Sequence, residues 1–113
     1  MLTTAWLDDL ARANPGARFD RRRFRPNFLI DAQRASGKVE LDWCGREMRV
    51  GDVRVKVEMP VVRCSMTTQP QGDLPKDPSV LRTIVKESDQ NVGAYASVLG
   101  AGTVRVGDPV ELV

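Results

Sequence analysis

The chain has 113 residues, of which 42% are hydrophobic and 28% charged, the size and make-up of one globular domain. It contains no histidine, which excludes Ser-His-Asp hydrolysis, histidine acid–base catalysis and any histidine-bearing zinc site within these residues. Net charge is +2, yet residues 17–25 alone carry five Arg and one Asp, so the basic character is one cluster rather than a broad face.

That distribution suits a compact anionic ligand or a solvated loop better than nucleic acid, because only Phe19 and Phe24 interleave with the arginines. No apolar run approaches the roughly 20 residues needed to span a bilayer, and no signal-peptide pattern opens the chain. A cytoplasmic protein without a membrane partner is therefore expected. Two cysteines, Cys44 and Cys64, make no disulfide framework. They read as one structural thiol and one candidate reactive or metal-binding thiol.

Residues 4–13 predict an amphipathic helix capped by Thr3 or Thr4, with Ala5, Trp6, Leu7 and Leu10 on its apolar face. Asn14-Pro15-Gly16 stops it. Residues 23–31 predict an extended segment, since Pro26 bars a helix interior and Phe28-Leu29-Ile30 is a buried-strand run. A loop near Ser36-Gly37 leads to Val39-Glu40-Leu41-Asp42-Trp43. Residues 46–50 and 53–59 then flank Gly51-Asp52, and Val53, Val55, Val57 and Met59 alternate with Arg54, Lys56 and Glu58. This is a β-hairpin with a two-residue turn.

Pro60 ends that alternation, and a polar, proline-rich loop occupies residues 69–78. Asp77 caps a second helix with Pro78 at its first position and Val80, Leu81, Ile84 and Val85 on its apolar face. Strands are predicted at 93–99, 102–106 and 109–113, the last two joined at Gly107-Asp108. The reading is α+β, mainly β with two short helices, built as a small and possibly incomplete β-barrel.

Chemistry concentrates in two places. Cys64 follows Arg63, which can lower a thiol pKa, and precedes Ser65, Thr67 and Thr68, whose hydroxyls can bond an anion. A thiolate there suits a thiophilic metal, and the competing reading is a structural cysteine at a strand end. Arg25-Pro26-Asn27 offers fork-like donors on a backbone fixed by proline, against the alternative of an arginine-rich solvated edge. Arg21–Arg23 is assigned to that solvated edge. Tyr95 is the single tyrosine and reads as half-buried packing.

Taken in order, Phe24-Arg25-Pro26-Asn27, Asp42-Trp43 with Gly45, and Arg49-Val50-Gly51-Asp52-Val53 lead to Arg63-Cys64-x-Met66-Thr67-Thr68. Gly93-x-Tyr95 and Gly102-Thr103-Val104-x-Val106-Gly107-Asp108-Pro109-Val110 follow. This series resembles the MOSC domain, the C-terminal domain of molybdenum cofactor sulfurases, also found in amidoxime-reducing components and their bacterial relatives. The resemblance spans residues 1–113 as a single domain. It implies a β-barrel module that binds molybdenum cofactor (molybdopterin) or handles its sulfur; the family is also associated with pyridoxal phosphate.

By the same resemblance Cys64 is the molybdenum ligand and catalytic position, while Arg25, Asn27, Arg63 and Tyr95 are cofactor-binding. Val62 stands where several reductases have a small polar residue. Fuller relatives carry strands ahead of the segment that starts here. The resemblance therefore implies an N-terminally shortened barrel whose exposed edge pairs with another copy or accepts a partner's strand.

Two functions follow from the resemblance. In the first, the module reduces N-oxygenated compounds with an external electron donor, or carries sulfur for the cofactor as a Cys64 persulfide passed on from a sulfurase. In the second, it is a non-enzymatic interaction protein that self-associates through its exposed edge.

Overall fold

Thr3 starts the first helix as its composition suggests, because its Oγ1 accepts the Trp6 amide at 3.2 Å. The helix, α1, runs Thr4–Ala13 and buries Ala5, Trp6 and Leu10 on one face. These features come from a computed structural model, which describes residues 1–32 and 35–113. Asn14 closes α1 by donating its amide to Leu10 O at 3.0 Å. Its side chain also donates to Ser79 Oγ and Thr83 Oγ1, both at 3.1 Å, tying this helix end to the later helix.

The segment expected to be extended is only partly so. Arg21–Arg23 forms a single 3-10 turn whose first amides are met by Asp20, Oδ1 accepting from Arg22 N at 2.9 Å. Only Leu29–Ile30, β2, is strand, and it pairs in parallel with Leu2–Thr3, β1.

A short helix that composition did not suggest, α2, spans Val39–Trp43. Its Glu40 carboxylate is fully buried and accepts from Thr3 N at 2.9 Å and Thr3 Oγ1 at 2.6 Å. Burial pushes that carboxyl up from its ordinary value, and the two hydrogen bonds from Thr3 pull against the shift.

The hairpin forms as the alternation predicts. β3, Glu47–Val50, pairs antiparallel with β4, Val53–Val62, in the register Val50↔Val53, leaving Gly51-Asp52 as the turn. Val53, Val55 and Val57 point into the core while Arg54 and Glu58 stay in solvent. β4 does not stop before Pro60. Its pairing with β5, Asn91–Gly100, continues through Pro60↔Ala94 to Val62↔Asn91, with irregularities on both sides of the proline.

β6, Val110–Leu112, adds to the far side of β3, so the sheet order is β5-β4-β3-β6. Among the described residues the architecture is α+β with three helices, α3 being Ser79–Ser88, and a four-stranded sheet that does not close into a barrel.

Residues 102–106 are not a strand, contrary to the reading of their valines. A Cβ on Gly102 would come within 2.6 Å of Asp52 O, and Asp52 N donates to Thr103 O at 3.3 Å, so this segment crosses over the hairpin turn instead of laddering. Gly107-Asp108 still makes a turn, with Asp108 N donating to Arg105 O at 3.0 Å and Asp108 Oδ2 accepting from Arg105 N at 2.9 Å. The chain beyond it pairs with β3.

Two apolar clusters hold these pieces. One joins α1 and α3 through Trp6, Leu10, Phe19, Phe24, Val80 and Ile84, and the other lines the inner face of the sheet through Met48, Val50, Val55, Val57 and Ala94. Each fully buried Val, Leu, Ile, Phe or Met among them contributes about 1.5–3 kcal/mol. α3 starts one residue later than expected, at Ser79, and Asp77 still caps it by accepting from Ser79 N at 3.0 Å.

Candidate functional site

Strand pairing brings separate motifs together. The register Met59↔Tyr95 and Pro60↔Ala94 sets the end of β4, and so Arg63, beside the Gly93-x-Tyr95 segment of β5. Arg63 donates through Nε to Val92 O and through Nη1 to Phe24 O, both at 3.0 Å, which draws in the Phe24-Arg25-Pro26-Asn27 segment. The result is a cleft of about 450 Å³. Val55, Ala96 and Val98 line its apolar part, and Arg25, Asn27, Arg63 and Tyr95 supply its polar groups. Four of the five residues singled out from sequence thus share one cavity.

Their roles differ. Arg25 and Asn27 are exposed at the cleft, with side chains available to a ligand. Arg25 sits at φ 52°, left-handed and directly before a proline, where extended backbone is strongly preferred. Such a strained residue persists only where its surroundings hold it, and here Arg25 N is held by Arg21 O at 3.0 Å.

Arg63 is half-buried, and its guanidinium lies 5.3 Å from the Phe24 ring centroid. Burial lowers its pKa from the ordinary arginine value, and nearby Tyr95 and Cys64 oppose that shift. It fastens the site together. Tyr95 is 56% exposed, more open than the half-buried packing expected of it.

Cys64 is exposed and lies next to the cleft in sequence, after Arg63, without being among its lining residues. It begins the 3-10 turn Ser65–Thr68, and its carbonyl accepts from Thr67 N at 3.2 Å and Thr67 Oγ1 at 3.0 Å. Thr68 Oγ1 donates to Ser65 O at 2.6 Å. The two threonine hydroxyls are therefore spent on shaping the turn that presents the thiol, not offered to an anion.

Cys44 is half-buried, with Sγ 3.5 Å from Glu40 O, and burial pushes its thiol pKa up. That environment suits a structural thiol.

Arg23 was not legible from sequence. It stands in a run assigned to a solvated edge, but it is only 2% exposed. Its guanidinium donates to the carbonyls of Arg18 at 2.8 Å, Pro75 at 2.9 Å, Thr67 at 3.2 Å and Gln69 at 3.4 Å. Four carbonyl dipoles take the place of a counter-ion, and the clamp fixes the Cys64 turn against the proline-rich loop. Nothing in its local sequence separates it from Arg21 or Arg22.

Gly93 explains its own place in the motif. Its φ is +79°, and a Cβ there would fall 2.7 Å from Met1 O, which accepts from Ala94 N at 3.0 Å.

The profile of the MOSC domain matches residues 1–111. The chain belongs to the MOSC domain family. It is also 32% identical over 130 aligned residues to mouse mitochondrial amidoxime-reducing component 1, covering 100% of this chain and 36% of that protein. This MOSC chain thus spans about a third of the length of that relative.

Among the described residues no three His, Cys, Asp or Glu side chains gather to hold a metal ion. A metal beside Cys64 would take one thiolate from the protein and its other ligands from a molecule in the cleft. The donor set fits such a molecule: guanidinium and carboxamide groups for a phosphate or heterocycle, an apolar surface for a flat ring, and a soft sulfur on the residue after the cleft-lining Arg63. Among the described residues no helix is long and apolar enough to cross a membrane.

Proposed function

We propose that this MOSC domain binds molybdenum cofactor in the cleft between the Phe24–Asn27 segment and β5, with Cys64 as the protein ligand to molybdenum, and serves the reduction of N-oxygenated compounds. The observation that carries this is the convergence of Arg25, Asn27 and Tyr95 on one cleft beside the exposed turn of Cys64. The name of the amidoxime-reducing relative supports the reaction class.

When bound, the cofactor would supply the redox chemistry that removes the substrate's oxygen as water, with two electrons from an external donor and two protons from solvent. The chain's own contribution is binding and orientation. Arg25 and Asn27 hold polar groups at the mouth, Val55, Ala96 and Val98 exclude water from the apolar part, and Arg63 keeps both walls in register.

Metal analysis of protein purified from a cofactor-sufficient host tests the assignment. Molybdenum is expected in the native chain and in Cys44→Ala, and a loss of about tenfold or more in Cys64→Ala. Equal molybdenum in native chain and Cys64→Ala, or none in any of them, would overturn it.

The exposure of Cys64 also suits the sulfur-carrying role within the family. A Cys64 persulfide in protein isolated without molybdenum, seen by mass spectrometry of the intact chain, would favour that second reading.

A further inference from the structure

The basic cluster at residues 18–25 is not exhausted by the cleft. On the other side of Arg25 lies a second cavity of about 370 Å³, lined by Arg21, Arg22, Arg25, Pro26, Leu29 and Gln71. Arg25 and Pro26 line both cavities, so Arg25 stands on the ridge between them.

The three guanidiniums are not equivalent. Arg22 is held in place: Nε and Nη2 donate to Asp20 at 3.0 and 3.1 Å, and Nη1 donates to Asp73 at 2.7 Å. Gly72, at φ +55°, leaves the room this requires, since a Cβ there would meet Arg22 Nη1 at 3.1 Å. Arg21 and Arg25 make no ion pair with a carboxylate among the described residues. Arg25 N donates to Arg21 O at 3.0 Å, and both residues line the same cavity, so two cations unpaired with carboxylates face one space.

Two cations lining one cavity repel, and the strained backbone of Arg25 adds to the cost. No acidic side chain lines the cavity, and Gln71 adds a carboxamide donor. An oxoanion of the phosphate class answers that arrangement, with Pro26 and Leu29 as an apolar wall for the organic part that bears it.

We propose that Arg21 and Arg25, on a wall braced by the carboxylate-paired Arg22, form a second anion subsite for a phosphate-type group, sharing Arg25 with the cleft. A ligand carrying two linked phosphate groups engages more of these guanidiniums than one phosphate does and binds more tightly. The inference concerns the chain without metal and does not require the molybdenum assignment.

The test uses the full chain and two probes, inorganic phosphate and pyrophosphate, followed by calorimetry and by the arginine Nε–H signals in NMR. Saturable shifts are expected at Arg21 and Arg25, with pyrophosphate binding about tenfold more tightly than phosphate. Arg21→Ala should weaken pyrophosphate about tenfold and leave the melting transition in place, since Arg21 is exposed. Arg12→Ala, an exposed arginine on α1, should change neither probe's affinity.

Shifts that grow linearly without saturating, or an equal loss in Arg12→Ala, would reduce the effect to general charge attraction and overturn the subsite. If Arg21→Ala binds pyrophosphate as the native chain does, the subsite fails while the Cys64 assignment stands. Loss of pyrophosphate with molybdenum retained supports the subsite and leaves that assignment intact.

Discussion

Arg63 connects three segments through one side chain: it donates to Val92 O in β5 and to Phe24 O, stacks on the Phe24 ring, and precedes the turn of Cys64. A guanidinium can do this because its donors diverge in a fixed plane, whereas an ammonium offers a point charge on a flexible stem. Arg63→Lys is therefore expected to lose one of the two carbonyl bonds and the stacking. It should lower stability by about 1–3 kcal/mol in urea unfolding and loosen the placement of Arg25 and Asn27. Tyr95→Phe should change stability by less than about 0.5 kcal/mol, because the side chain is mostly exposed. A fully stable Arg63→Lys would show that the Phe24 segment is held by other contacts.

Among the elements, β5 shows most clearly how a motif glycine acts. Gly93 and Gly45 both have positive φ, +79° and +85°, but nothing lies within 4 Å of a Cβ built on Gly45, while one on Gly93 would press on the Met1 carbonyl. Gly45→Ala should cost only the left-handed strain, about 1 kcal/mol. Gly93→Ala should cost at least about 1 kcal/mol more, because backbone must move as well. Comparing the two variants by chemical unfolding separates strain from collision, and equal losses would remove the steric argument.

The same contrast explains which elements could be read from the chain. α1 and the β3–β4 hairpin announce themselves locally, through the Thr3 cap and the strict alternation around Gly51-Asp52. α2 does not, since five residues carry little periodicity and its Glu40 is fixed by a partner, Thr3, 37 positions away. Residues 102–106 misled for the opposite reason. Their valines alternate, but the segment packs over Asp52 and joins no ladder among the described residues. The candidate site was legible in its residue types, and its division of labour was not, because only long-range pairing turns Arg63 and Arg23 into fasteners and leaves Arg25 and Asn27 open.

At the scale of the whole molecule the open sheet has consequences for solution behaviour. β5 is the edge of the order β5-β4-β3-β6, and beyond Ala94 its outer side has no strand partner among the described residues. Asn91–Gly100 contains no charged residue, and Val98 and Leu99 are 67% and 51% exposed. Natural edges are usually guarded by a lysine, a proline or a bulge that turns them away; this stretch has no lysine or proline, and its register against β4 shifts at Leu99 and at Val92-Gly93. We propose that two copies pair antiparallel through β5, an arrangement in which each strand meets the same strand of its partner about a two-fold axis.

Light scattering on a concentration series should then show mass rising from one chain toward two. Leu99→Lys, at a position outside the cleft, should return the protein to a single chain without lowering its thermal stability. A native chain that stays at one copy across the series would set the edge aside as an interface.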